Sequence, residues 1–206
     1  MTPPIRILIV EDHLIARVGL ATIVGAQPDM VVVGEARTGP DAVIVHAARH
    51  PDVTLMDLRL PELGGVDVMA AIRRETPQAR FVALSTYSGD EEIRSAIAAG
   101  AAAYLTKDVI DVDLITTIRV VHGGGTYLPP PVRAILARQP SSPQLTPRER
   151  EVLGFIVGGY GNKQIAHELQ IAEYTVKNHV KSILDKLDVN DRTEAAMAAL
   201  RRGIVL

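Results

Sequence analysis

The chain has no cysteine. That removes disulfides, thiolate zinc sites and cysteine nucleophiles together, and it is compatible with the cytoplasm, the expected location. No run approaches the roughly 18 apolar residues a membrane span needs, so no membrane partner is expected. The opening MTPPIRILIVED holds an apolar run too short for a signal peptide, closed by two acids. No segment repeats. Apolar residues are not scarce, at 47% of the 206 positions, so disorder is excluded and a real core can form. A typical domain has about 100–150 residues; the length suits one large α/β domain or two smaller ones.

The formal net charge of −2 hides an asymmetry. Residues 1–128 carry 11 Lys and Arg against 16 Asp and Glu, whereas residues 145–206 carry 9 against 8. An acidic first part and a slightly basic last part suit a metal site followed by a nucleic-acid binder. Through residue 123, short runs rich in Val, Ile and Leu alternate with stretches of helical spacing. The runs are Ile5–Val10, Met30–Gly34, Val53–Met56, Phe81–Leu84 and Ala102–Leu105. Five strands alternating with helices predict an α/β fold whose parallel sheet is covered on both faces. Right-handed crossovers make it a doubly wound, flavodoxin-like fold with the strand order 2-1-3-4-5.

The sequence GGGTYLPPP (Gly123–Pro131) ends that pattern. A short helical piece, Val132–Arg138, precedes QPSSPQ (Gln139–Gln144), which reads as flexible linker. From Leu145 onward only helical spacing follows. Thr146 reads as an N-cap, with Pro147 at the first helical position and Glu149 at the third, a capping box. Gly158, Gly159 and Gly161 close that helix. Further helices are expected at about 162–169, with Asn162 as cap, and at 174–187 and 192–202. The expected organisation is residues 1–125, a connecting stretch at 126–144, and a small all-α domain at 145–206.

Polar residues fall where each strand run has just ended: Glu11 and Asp12 after the first, Asp57 after the third, Ser85 after the fourth, Lys107 after the fifth. The carboxyl edge of an open α/β sheet is where ligands bind, at the point where winding reverses. Singly, each residue is an ordinary turn former, cap or surface charge. Together they place three carboxylates beside a hydroxyl and an ammonium. Such carboxylates repel unless a divalent cation neutralises them. Oxygen ligands without imidazole or thiol favour a hard ion, Mg²⁺ above others. A carboxylate so placed can attack phosphorus and form an aspartyl phosphate, with Mg²⁺ and Lys107 neutralising the transferred group.

These residues, in ILIVED, LMDLRLPELGG, LSTY and YLTKD, resemble the receiver domains of two-component response regulators over about residues 5–123. The resemblance implies that Asp57 is the phosphate acceptor. It makes Glu11, Asp12, Asp57 and the backbone carbonyl of Arg59 the metal ligands. Ser85 matches the switch hydroxyl, Lys107 the lysine of the site, and Tyr104 the aromatic switch position. Two positions depart from the commonest pattern: Gly64, where an acid is frequent, and Asp108, where proline is.

In the C-terminal part, Val176, Val180, Ile183, Leu184 and Leu187 form an apolar stripe on one helix. Its other face carries Lys177, Asn178, His179, Lys181 and Ser182. Such a face suits a DNA major groove and equally suits plain solvent. TPREREVL, NKQIA and TVKNHVKSILDKL resemble the LuxR-type helix-turn-helix over almost all of 145–203. The two domains in this order identify the chain as similar to response regulators of the NarL/FixJ type. The resemblance implies Lys177, Asn178 and Lys181 as groove contacts and Thr175 as a phosphate contact. It also implies a last helix, opened by Val189, Asn190 and Arg192–Ala196, that can pair two copies. The implied partners are a sensor histidine kinase, a double-stranded DNA operator with inverted half-sites, a second copy of the chain when active, and RNA polymerase. A phosphatase of the haloacid-dehalogenase type would need an acid two residues after the nucleophile; Arg59 stands there, so no enzyme is expected. A constitutive DNA binder has no use for the full acid, hydroxyl and lysine set.

Overall fold

The computed structural model describes residues 3–86, 89–107, 110–138, 145–202 and 204; the linker residues Gln139–Gln144 and Asp108 lie outside them. The chain divides into two compact units, one of Met1–Ser88 with Ile93–Ala134, the other of Ile135–Leu206 with Gly89–Glu92.

In the first unit the strands are β1 (Ile5–Val10), β2 (Met30–Ala36), β3 (Val53–Asp57), β4 (Phe81–Ser85) and β5 (Ala101–Thr106). They alternate with α1 (Leu14–Gly25), α2 (Gly39–Arg49), α3 (Gly65–Glu75), α4 (Asp90–Ala98, of which Ile93–Ala98 belong to this unit) and α5 (Ile110–His122). The sheet is parallel, in the expected order β2-β1-β3-β4-β5. Every residue of β3 and β4 is buried, as a sheet covered on both faces requires. Ile9, Leu55, Val82 and Ala103 lie side by side across four strands. They pack with Leu20 and Val24 of α1 and Leu114, Ile118 and Val121 of α5. Each such aliphatic side chain contributes roughly 1.5–3 kcal/mol on leaving water, so this layer fixes the level at which the strands end.

The second unit is helical: α6 (Pro130–Ala137) runs into it, followed by α7 (Pro147–Val157), α8 (Asn162–Glu168), α9 (Glu173–Leu187) and α10 (Arg192–Arg202). Thr146 and Glu149 form the expected capping box on α7, and Gly158 caps its end. Between α8 and α9 the chain turns at Gln170, whose φ is 52°. The Ile171 N–H then donates to the Ala166 carbonyl at 3.0 Å, a bond of the type that closes a helix end. The core joins Val152, Leu153 and Ile156 of α7, Val176, Ile183 and Leu187 of α9, and Ala195, Ala198 and Ala199 of α10.

Several local readings need correction. β2, β3 and β4 run on to Ala36, Asp57 and Ser85, because the ladder continues past the last aliphatic residue. The short helix starts at Pro130 rather than Val132, since proline suits a first helical turn. Gly161, not Asn162, is the N-cap of α8, and Gln164 accepts its N–H at 2.8 Å. Asn162 instead accepts from Arg192 at 3.3 Å. Ser182 faces inward, donating to Glu149 at 2.5 Å.

Candidate functional site

Register brings the acids together. Val10 pairs with Met56, so Glu11 and Asp57 leave adjacent strands one residue further on. Glu11 is fully buried and Asp57 is 2% exposed, while Asp12 is part-exposed. The Lys107 ammonium donates to Glu11 Oε2 and to Asp57 Oδ2, both at 2.7 Å. Asp57 Oδ1 accepts from the Arg59 N–H at 3.0 Å. The Lys107 N–H donates to the Ser85 carbonyl at 2.8 Å, which sets the lysine level with the end of β4. Ser85 and Tyr104 are both completely buried. The structure thus brings Glu11, Asp12, Asp57, Ser85 and Lys107 to one edge of the sheet.

Gly65 explains the loop after Asp57. A Cβ there would lie 2.2 Å from the Asp57 carbonyl oxygen and 2.8 Å from the Leu58 Cα. Only glycine lets α3 start this close beneath β3.

Burial pushes the Glu11 carboxyl above its ordinary value, and the charge of Asp57 adds to that, outweighing Lys107. Burial alone would lower Lys107, but its hydrogen bonds to Asp57 and Glu11 prevail and raise it. The pocket holds more negative than positive charge, which is the electrostatic condition for a cation. Atoms of Glu11, Asp12, His13 and Asp57 that could serve as ligands lie within 4.8 Å of one another, and these donors fit a divalent ion. The imidazole of His13, 2.8 Å from Asp12 Oδ1, was not anticipated.

On α9, Lys177, Asn178 and Lys181 are exposed, Thr175 is half-buried, and the apolar stripe faces the core. Glu173 pairs with Lys177 at 3.1 Å. Tyr174, 73% exposed, stands on the same face and was missed because an isolated tyrosine carries no periodic signal.

Residues 7–119 match the family model of the response regulator receiver domain. Residues 143–199 match that of bacterial regulatory proteins of the luxR family. The chain belongs to the response regulators. This regulator is 40% identical to the uncharacterized transcriptional regulatory protein YhcZ of Bacillus subtilis strain 168, over 97% of each chain. It is 38% identical to the transcriptional regulatory protein LiaR of the same strain, over 98% of this chain and 99% of that one. The crystal structure of the response regulator ChrA, from a heme-sensing two-component system, matches with a TM-score of 0.58 and 32% identity. That match covers 98% of this regulator and 100% of ChrA. The family is one of transcriptional regulators with a DNA-binding domain, not of enzymes. No helix among the described residues is long and apolar enough to cross a membrane.

Two further sets of contacts lie beyond what the sequence reading gave. Arg17 of α1 is 3% exposed and donates to the carbonyls of Glu11 at 2.8 Å and Asp12 at 3.2 Å, and to Glu35 at 3.2 Å. It fixes the backbone that carries both acids. The second set is that of Glu149, which holds more than a helix cap.

Proposed function

We propose that this regulator accepts a phosphoryl group on Asp57 from a sensor histidine kinase and that the modified chain binds DNA as a homodimer. The observation that carries the reading is the Glu11–Lys107–Asp57 constellation at the carboxyl edge of the sheet. Glu11, Asp12, Asp57 and the backbone carbonyl of Arg59 would hold Mg²⁺. When bound, that ion neutralises charge on the transferring phosphoryl group. An Asp57 oxygen attacks phosphorus and the bond to the donor breaks. Lys107 keeps its proton and turns its ammonium from the carboxylate pair to a phosphoryl oxygen. Ser85 donates to that group, and Tyr104, buried in β5, shifts the receiver toward its paired state.

The domain limits we assign are 1–125 for the receiver, 126–144 for the connection and 145–206 for the DNA-binding domain. On α9, Lys177, Asn178 and Lys181 read the major groove and Thr175 touches phosphate. Met197 and Leu200, three residues apart on α10 and both exposed, supply an apolar strip on which two copies pair across inverted half-sites. Pairing raises the effective concentration of the second DNA-binding head. The regulator works in the cytoplasm, and its action on transcription makes RNA polymerase a further partner.

The test is acetyl phosphate with Mg²⁺. The wild type forms a stable acyl phosphate, and Asp57→Asn forms none. Undiminished labelling of the Asn variant sinks the assignment, and continuous turnover of donor makes the protein a phosphatase. Beryllofluoride should double the molar mass and tighten operator binding; no change in either sinks the dimer switch.

A further inference from the structure

Glu149 is a buried charge that neither the phosphoacceptor site nor the DNA face accounts for. It stands at the third position of α7 and is 4% exposed. A capping box asks one thing of it, to accept the N–H of Thr146, which it does at 2.6 Å. The same carboxylate also accepts from Lys186 Nζ at 2.7 Å and from Ser182 Oγ at 2.5 Å. Both of those residues belong to α9, four positions apart and so one helical turn apart.

At about 100° per residue, α9 divides into three arcs. One is the apolar stripe, packed on the core. The second carries Ser182 and Lys186, clamped to Glu149. Between them lies the arc of Lys177, Lys181 and Asn178, exposed to solvent. A helix packed through an apolar stripe alone retains freedom to roll. With side chains ending roughly 5–6 Å from the axis, a roll of about 20° moves them by about 2 Å. That exceeds the tolerance of a hydrogen bond to a base edge.

We infer that Glu149 is a positioning residue for DNA reading: its buried carboxylate fixes the roll of α9, so that Lys177, Asn178 and Lys181 meet base edges in register. This rests on α9 being the helix that enters the groove. Phosphate contacts tolerate a roll, because a lysine on a flexible stem reaches a phosphate from many angles, whereas base contacts do not. Loss of the clamp therefore removes specificity before it removes affinity. Burial pushes the carboxyl of Glu149 up, but Lys186, Ser182 and the Thr146 N–H overcome this and hold it at about 2. The clamp is charged throughout the pH range in which such a protein works.

The experiment uses the full chain and two duplexes: one selected by the wild type from a random library, and an unrelated duplex of equal length. Glu149→Gln should weaken binding to the selected duplex tenfold or more and to the unrelated duplex less than twofold. Val152→Ala, which lowers stability through a cavity in the same core and leaves the carboxylate alone, should keep the ratio of the two affinities. Equal losses on both duplexes in E149Q, or an equal collapse of the ratio in V152A at matched melting temperature, overturns the inference. If E149Q does not fold, Ser182→Ala and Lys186→Met carry the test, each expected to lower the ratio three- to tenfold; an unchanged ratio in both overturns it. Lys177→Ala and Lys181→Ala check the underlying reading separately. If both leave the selected duplex bound as before, α9 is not the reading helix, whatever E149Q does.

Discussion

Glu11 in the receiver and Glu149 in the helical domain are both buried and both accept a hydrogen bond of 2.7 Å from a lysine. Their acidities nonetheless move in opposite directions. Burial raises Glu11, the charge of Asp57 raises it further, and Lys107 is shared between the two carboxylates. Burial raises Glu149 as well, but Lys186, Ser182 and the Thr146 N–H all donate to it and bring it to about 2. A lysine next to an acid therefore does not reveal whether the pair serves stability or chemistry. The count of charges does. The receiver pocket is left short of positive charge, which suits a site that must take up a cation and a phosphoryl group. In the helical domain Glu149 meets an ammonium, a hydroxyl and an N–H, which suits a fixed joint.

The sharpest break between the two is Lys107→Met against Lys186→Met. The first should slow Asp57 phosphorylation by acetyl phosphate at least about 100-fold, the usual loss when a charge-stabilising donor is removed from a reacting centre. The second should leave the labelling rate unchanged, and equal rates in the two variants would erase the distinction. Next in size is stability. Glu149→Gln should cost about 2–3 kcal/mol in urea unfolding, whereas Glu11→Gln should cost nothing or stabilise the receiver by about 1 kcal/mol through relief of repulsion. The pH arm follows from the sign of the Glu149 shift. Its folded value, about 2, lies below its ordinary value of 4.5. Its contribution is therefore complete above about 4.5 and drains away as pH falls toward 2. The wild-type helical transition should weaken across that window and that of E149Q should not; parallel curves would contradict the assignment.

A smaller effect separates α9's outer arc from its clamp. Lys177→Ala and Lys181→Ala should each cost about 1–3 kcal/mol of DNA binding if the lysine reads a base. A lysine that meets only phosphate should instead lower the salt slope by about one unit. Either variant should leave urea unfolding almost untouched, and a matching loss of stability would place these side chains in the core. The smallest effect belongs to the Glu173–Lys177 pair, half in solvent at 3.1 Å. Glu173→Gln should alter stability by no more than about 0.5 kcal/mol, measured by thermal unfolding.

Much of this was legible in the sequence because strands and sites share a rule. Aliphatic runs mark where strands lie, so the polar residue that ends each run marks the sheet edge. Glu11, Asp57, Ser85 and Lys107 were found that way, and the strand order put them together. The stripe on α9 was equally plain from its spacing. Arg17 was not, since one arginine on an amphipathic helix reads as a solvated charge, and only the loop folding over it makes its burial favourable. Ser182 lies off the apolar stripe and so reads as outward-facing, yet Glu149, 33 positions earlier, pulls it inward. The position of Glu149 announced a helix cap, and nothing local announces that the same carboxylate reaches a second helix. Contacts of that range depend on how two helices cross, which periodicity within either one does not encode.

The outer arc of α9 has a consequence for descent. Lys177, Asn178 and Lys181 are exposed, and substitutions at such positions usually change stability by less than about 0.5 kcal/mol. Where this trio reads the DNA, as proposed, a duplicated gene can alter these codons, and with them its target, while the scaffold beneath stays intact. Glu149, Ser182 and Lys186 have no such latitude, because each change there loosens the frame that gives any new trio its aim. Paralogues that diverge in what they regulate should vary on one side of this helix and stay uniform on the other.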